Sequence, residues 1–599
     1  MQENLFLLRD GKDHIIQNTF YATLLSNILS SLTTSVGALI DGVVIGQFLG
    51  VNATAAFGVI SPIIVVFALF GAVVASGARN HFTHLVGSGC VEEAQGVFTL
   101  SVVLSVSFAT ALMGFVLLFS GPVTAVLGAT GSAAGVFEEA RRYLIGIAIG
   151  LPAMNAVRIL NAYMAIDNHR NLQVLSSIAM TVTDVVLDLL AATVFHGGTF
   201  EMGLATSLSY YAALLVLLTH FRRRERLLRF SLSTIRWKDT AGIIGKGLPM
   251  GVARVSNTLR SVFMNRLLAA MATAGAIAAY SVHRQADSLL NSFTLGLGNT
   301  VITLTGILFS EQNSTMLRRL LRTSGRAVAT VVLAASALFY VLSPQFAALF
   351  IRNDPQALRY AVTAARAYAL GMPLYGLNEV YVKYLEGIGR TRAAAVLTFL
   401  RECGFLVLSA SVLLPVCGPD AIWYAFPAAQ VLHLGALFVL NRACTRKMGL
   451  QGSSLADRVM MLPADFDVPA EDRIERSVGS DEEVVMLSQA AWRFCEDHGC
   501  DYERKYAISL AVEEMAMNTL LTGVRPGRHN RISMRILKKG EEYILRIRDD
   551  CLIFDPVRQL KLYDEKVPAH HMGLRMAIGL AKEVRYTTLL RLNNLVLRV

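Results

Sequence analysis

Charge is what this chain has least of. Asp, Glu, Lys and Arg make up 17% of its 599 residues, against 54% hydrophobic residues and a mean hydropathy of +0.48. That apolar share exceeds the roughly 45–50% of a soluble domain. The length would suit several soluble domains. Up to about residue 445, however, apolar runs of twenty or more residues recur, each long enough to cross a bilayer. The seven cysteines show no CxxC spacing and no histidine partner spacing, so neither a metal site nor a disulfide framework is supported. No GxxxxGK[ST] phosphate loop is present, which argues against an ABC-type pump. The opening MQENLFLLRDGKDHIIQ lacks a cleavable signal pattern, so the first apolar helix reads as a retained span.

The basic excess is not a nucleic-acid footprint. From residue 455 onward 22 basic residues face 23 acidic ones, leaving 33 basic and 21 acidic residues in the apolar part. The charge therefore follows membrane topology. Hydropathy predicts twelve spans, at roughly 15–42, 51–78, 96–119, 136–164, 171–195, 201–221, 241–270, 274–308, 325–343, 360–387, 393–416 and 419–443. The connection FRRRERLLRFSLSTIRWK after the sixth is strongly basic, and Arg79, His169, Arg170, Arg318, Arg319, Arg390 and Arg392 follow other even-numbered spans. The remaining loops hold only Arg352 and Arg359, so the positive-inside rule puts both termini in the cytoplasm.

The two halves resemble one another. AAFGV (55–59) matches AAYSV (278–282), and GLPAMNAVRILNAYMAIDNHR (150–170) matches GMPLYGLNEVYVKYLEGIGR (371–390), at offsets of 223 and 221 residues. One six-helix unit used twice would place a substrate site between the units. The expected fold is a membrane all-α protein of twelve transmembrane helices in two six-helix lobes, with a cytoplasmic α+β two-layer domain. Its parts are an N-terminal lobe (1–222), a basic linker (223–239), a C-terminal lobe (240–445), a polar linker (446–480) and a tail domain (481–599).

Within the apolar TVTDVVLDLLAATVFHGGTFEMGLAT (181–206), Asp184 and Asp188 share one helix face, and Asp41 lies in the first apolar segment. Acids inside otherwise apolar helices mark ion or proton pathways. At the repeat offset Asp41 falls on Met264, and the other two acids have no counterparts, so the acid cluster belongs to the first half alone. Clustered carboxylates disfavour simultaneous ionisation and so permit proton uptake. The same oxygens, with Thr206 and backbone carbonyls, could instead hold sodium. In the second half His283, Arg284 and Asp287 fall within one turn, and Glu379 and Lys383 are four apart. They read either as internal ion pairs or as a cavity lining in which Asp287 or Glu379 meets a cationic substrate.

The tail changes periodicity. DEEVVMLSQAAWRFCEDHG and YERKYAISLAVEEMAMNTLLTG read as helices, RISMRILKKGEEYILRIRDD as a hairpin around KKGEE, MGLRMAIGLAKEV as a third helix, and YTTLLRLNNLVLRV as a second hairpin around Asn593 and Asn594.

The signatures LIDGVVIGQFLG, AAFGVISPI, VLDLL with GLAT, KGLPMG and FMNRLLAAMATAGAIAAYSV resemble the MATE multidrug and toxin extrusion transporters over about residues 10–445. The resemblance implies antiport export of small amphipathic, often cationic drugs or metabolites from the cell (inner or plasma) membrane, against Na⁺ or H⁺. It carries the family's N-lobe cation site onto Asp41, Asp184, Asp188 and Thr206, with Asp184 where relatives usually have Asn. In the tail, LAVEEMAMN, RDDCLIFDP and MGLRMAIGLAKEV resemble the N, G1 and G2 boxes of the GHKL ATP-binding fold, nearest the anti-sigma-factor serine kinases. This implies ATP with Mg²⁺ on Asn518, Glu514 as the base, Asp549 on adenine and Gly573 in the phosphate lid. Cys551 and His571 stand where glycines are expected, and a Cβ at either position would weaken nucleotide binding. The tail then reads either as a nucleotide-binding domain or as a degenerate, protein-binding one, regulatory in both cases, with a cytoplasmic regulatory protein as its partner. Two rival readings stand beside the exporter. One is a lipid-linked saccharide flippase with a basic cavity, for which Arg254, Arg260 and Arg266 speak. The other is a membrane-anchored serine kinase or sensor.

Overall fold

Apolar runs become helices in this chain because a helix satisfies its own backbone without water. The computed structural model describes residues 14–44, 50–126, 134–195, 197–222, 227–270, 274–351, 355–447, 455–463, 465–522, 532–552, 555–556, 572–590 and 592–599. Its contacts divide into two units, one of residues 22–165 and 169–462, the other built on 463–599 with 1–21 and 166–168.

The helices of eight or more residues in the apolar part are α1 (His14–Val44), α2 (Gly50–Gly87), α3 (Val91–Leu118), α4 (Ala134–Ala148), α5 (Leu151–Met164), α6 (Arg170–Thr193), α7 (Thr199–Leu218), α8 (Asp239–Ala270), α9 (Ala274–Ser310), α10 (Ser314–Ala327), α11 (Leu333–Ala348), α12 (Pro355–Gly387), α13 (Thr391–Phe399), α14 (Phe405–Cys417) and α15 (Ala425–Lys447). Each of the twelve predicted segments is helical. Among the described residues seven helical stretches are long and apolar enough to cross a membrane, or eight if the bent pair α4–α5 counts as one. Charge lowers the hydropathy of others: α12 carries Arg366, Glu379, Lys383 and Glu386 along its length.

Several predicted spans are broken, each for an identifiable reason. Helices α4 and α5 bend by 49° where Gly150 precedes Pro152 in the first turn of α5. Proline is tolerated there because its missing N–H would be unpaired anyway. Its repeat mate Pro373 lies inside an unbroken α12. The repeat mates Tyr163 and Tyr384 are both fully buried. A π-turn at Val328–Val332 joins α10 to α11, and another at Leu400–Gly404 joins α13 to α14. The second brings Arg401 and Glu402, adjacent in sequence, inward together.

Helix α6 is polar inside and apolar outside. Arg170, Gln173, Ser176, Ser177, Asp184 and Asp188 are buried, while Leu175, Ile178, Val182, Val186 and Leu189 are exposed. That reverses the pattern of a water-soluble helix and suits an apolar surround. Helices α2 and α8 approach backbone to backbone at Gly77 and Gly247, where a Cβ on Gly77 would run into the Ile243 carbonyl. Arg79, which the topology count places in a loop, lies within α2 and is buried. The reason is that α2 continues to Gly87, well past the apolar run that marks it in sequence.

The other unit carries a five-stranded antiparallel sheet. Its strands are β1 (Arg473–Val478), β2 (Ile532–Lys539), β3 (Glu542–Asp549), β4 (Glu583–Leu589) and β5 (Leu592–Arg598), in the order β1-β2-β3-β5-β4. Helices α16 (Asp481–Asp497), α17 (Tyr502–Thr522) and α18 (Met572–Leu580) share its core, including Val478, Leu487, Val512, Ile536, Leu545 and Leu597. Ser480 caps α16 by accepting the Glu483 N–H at 3.3 Å, ahead of an acidic first turn that suits the helix dipole. The first hairpin turns at Gly540, in the left-handed region at φ 63°.

Two tail expectations fail. The stretch read as linker, 446–480, contains β1, an edge strand of which only Val478 is fully buried, so its hydrophobic signal is weak. The second hairpin does not turn at Asn593 and Asn594. Both lie in β5, and β4 ends at Leu589 ahead of Leu590, whose φ is 55°.

Candidate functional site

The acids of the first lobe stand on the buried face of α6. Asp184 is 7% exposed and Asp188 is 1% exposed. On α7 opposite, the Thr206 hydroxyl donates to the Met202 carbonyl at 3.3 Å and the Ser209 hydroxyl to the Thr206 carbonyl at 2.8 Å, and the Asp184 Oδ1 is buried without a hydrogen-bond donor among the described residues. Asp184 and Asp188 lie on α6 and Thr206 on the neighbouring α7. Helix α1 runs alongside α6: Ser30 and Ser177 hydroxyls meet at 2.5 Å, and Thr181 donates to the Thr33 carbonyl at 3.2 Å. Gly37 abuts Thr181 in turn. Residue 41 follows on α1 one turn later. The Asp41 side chain lies outside the described residues, as do Arg266 and His571.

Next to this helix pair lies a cavity of about 550 Å³, bounded by α1, α2, α5 to α9 and rich in Ser, Thr and Asn. Four arginines line it: Arg79 from α2, Arg158 from α5, Arg254 from α8 and Arg284 from α9. The expected acidic lining is not what the fold builds. Asp287 does line the cavity, but it is bound by Arg260 at 2.9 Å and by the Tyr368 hydroxyl at 2.5 Å. Glu379 is absent from the lining; Arg401 takes it in a buried ion pair. Arg401 also holds Glu402 at 2.9 Å, and Lys383 pairs with Glu386 at 2.7 Å rather than with Glu379. Glu379 is paired across helices by Arg401, and Lys383 pairs within α12, because a buried carboxylate needs a nearby, well-aimed donor. Of the arginines flagged in α8, Arg254 reaches the cavity, whereas Arg260 is spent on Asp287 and Asn257. The roles of Arg79, Arg158, Arg401 and Glu402 escape sequence reasoning, although Arg158 within NAVRILNAYM is the kind of charge in an apolar helix that signals one.

In the tail, Glu514 and Asn518 lie one turn apart on α17, half-buried, and the Asn518 amide donates to the Glu514 carbonyl at 2.8 Å. The Glu514 carboxylate sits against Gly573 at the start of α18, where a Cβ would collide with it. Asp549, at the end of β3, is buried and accepts the Cys551 N–H at 3.0 Å and the Asn593 amide at 2.7 Å. Burial pushes its carboxyl above the usual aspartate range, against the pull of those two donors. Asn593, read in sequence as a turn residue, is therefore the residue that positions Asp549. The amide and carboxylate oxygens of Asn518 and Glu514 are of the kind that suits a hard divalent ion, while the space beside Gly573 is taken by the Glu514 carboxylate. Cys551 is fully packed, with its N–H turned to Asp549.

A family model described as MatE matches residues 27–190 and 249–409, and one described as a histidine kinase-like ATPase domain matches residues 480–598. A probable multidrug resistance protein NorM of Listeria monocytogenes is 27% identical over 269 residues, a match covering 41% of this chain and only 57% of that protein's length. Among solved structures, a MATE protein in complex with MaL6 has a TM-score of 0.67 at 18% identity, covering 73% of this chain and 97% of its own. A MOP-superfamily transporter from Pyrococcus furiosus, described as having a binding pocket of reversed polarity, has a TM-score of 0.65 at 18% identity, over 72% and 96% of the two chains. At that identity the likeness concerns the fold.

Proposed function

This chain belongs to the MatE family, and from that premise we propose that it is an ion-coupled exporter of small amphipathic compounds. Its twelve helical segments cross the membrane as two six-helix lobes with both ends of the chain cytoplasmic. The cavity between the lobes opens alternately to either side. Asp41, Asp184, Asp188 and Thr206 hold the coupling ion, sodium or protons. The reading rests most heavily on Asp184 and Asp188, two acids buried on one face of α6, the Oδ1 of the first without a hydrogen-bond donor among the described residues. Carboxylates cost too much inside an apolar helix bundle to be kept there without a cation to meet. The NorM relative, a probable multidrug resistance protein, supports an export role.

The tail serves as a nucleotide-sensing regulator, with Asn518 holding Mg²⁺, Asp549 the adenine and Gly573 the phosphates; the ion gradient supplies the energy. The test is ion binding to purified full-length protein. Saturable ²²Na⁺ binding, or proton release on adding substrate, is expected and is lost in an Asp184→Asn/Asp188→Asn variant. Wild-type protein that does neither overturns the assignment.

A further inference from the structure

We propose that the central cavity selects amphipathic anions, compounds with a carboxylate, sulfonate or phosphate head on an apolar body. This deepens the export reading above and rests on it. The charge balance of the lining carries the inference. Four arginines face the cavity against one carboxylate, Asp287, which Arg260 and Tyr368 already hold at 2.9 and 2.5 Å. Among the described residues no carboxylate lies within ion-pair distance of Arg158, Arg254 or Arg284, so their charge is left for something in the cavity. The acids near enough to matter are engaged elsewhere. Glu402, within electrostatic reach of Arg254, is bound by Arg401 at 2.9 Å and by the Tyr375 hydroxyl at 2.8 Å. Glu386, within reach of Arg79, is held by Lys383 at 2.7 Å.

Two features make this a site and not a stray excess of charge. Arg79 is 8% exposed, and its Nε is buried with no hydrogen-bond partner among the described residues, while its Nη2 donates to Asn299 at 3.1 Å. A guanidinium in a cavity lining offers its planar N–H fork to an oxyanion. Arg158 and Arg254, from different lobes, lie within electrostatic reach of each other. Like charges brought near one another repel, and an anion between them relieves the repulsion. Met154, Val157, Met180 and Leu295 supply the wall for an apolar body. A cation would meet four positive charges and no unengaged carboxylate among the described residues.

The experiment uses full-length protein in proteoliposomes under imposed Na⁺ and H⁺ gradients. Three probes are compared: carboxyfluorescein as a soluble anion, ethidium as a cation, and NBD-labelled phosphatidylglycerol as an anionic lipid. Gradient-driven movement of an anionic probe in preference to ethidium is expected. Whether carboxyfluorescein or the lipid moves distinguishes a soluble from a lipid substrate. Arg254→Gln and Arg158→Gln each raise the KM for that anion about tenfold or more, the cost of a lost charge-assisted contact, while Arg254→Lys retains most of the transport. Transport of ethidium as fast as or faster than the anions, or Gln variants that leave anion KM unchanged, overturns the anion assignment with the exporter reading intact. If no probe moves under either gradient, the exporter reading fails and takes this inference with it.

Discussion

Arg401→Met isolates what holds the second lobe together. Arg401 is 4% exposed, donates to both Glu379 and Glu402, and lies 4.5 Å over the Tyr375 ring. Methionine keeps much of the side-chain length but none of the donors. Glu402 would retain the Tyr375 hydroxyl at 2.8 Å and Arg260 at 3.7 Å. Glu379 would be stranded, because Arg401 is its only hydrogen-bond donor among the described residues. Breaking a buried ion pair from one side costs about 3–5 kcal/mol, whereas replacing both partners is often close to neutral. Arg401→Met should therefore lower the thermal unfolding midpoint of the purified protein sharply. Adding Glu379→Gln should recover most of the loss, and the Glu379→Gln single variant should itself be destabilised by the uncompensated arginine. A neutral Arg401→Met, or a double variant no better than the single, would refute this.

Two further outcomes follow from other sites. Asn593→Ala removes one of the two donors to Asp549 and should cost about 1–3 kcal/mol of tail stability, measured by chemical unfolding of the full chain. Because burial raises the Asp549 carboxyl above its unfolded value, its ionisation opposes folding. The unfolded state binds fewer protons between the two values, so stability falls as pH rises through that window, and the variant's deficit should widen with it. Gly77→Ala should disrupt the α2–α8 crossing, since the added methyl meets the Ile243 backbone, which cannot yield as a flexible side chain would. Folded yield on size-exclusion chromatography should drop well below that of Gly245→Ala, which has open space for the methyl.

What could be read in the sequence was what depends on neighbours in the chain. Long apolar helices in the first three quarters of the chain, the Asp184–Asp188 face and the KKGEE hairpin all follow from local periodicity, and each is present. What could not be read depends on partners far away. A hydropathy trace shows that Asp287 is charged, not that Arg260, 27 residues earlier, neutralises it. It shows Arg79 at the end of an apolar run, not that it reaches Asn299, 220 residues on. Hence the sequence suggested acids facing a cation, while the folded cavity presents arginines. Asn593 misled for a related reason: adjacent asparagines favour turns, but here one is held in a strand by its bond to Asp549.

The central claim is that the N-lobe carboxylates couple an ion gradient to export, and transport in proteoliposomes tests it most directly. Using whichever probe the wild type carries, efflux would be driven by a Na⁺ or an H⁺ gradient in wild type, Asp184→Asn and Asp188→Asn, with and without ATP on the tail side. The account predicts gradient-driven efflux that one of the two ions supports, that collapses in Asp188→Asn, and that ATP modulates but does not power. Efflux that ignores both gradients, or that proceeds unchanged in Asp188→Asn, would contradict it.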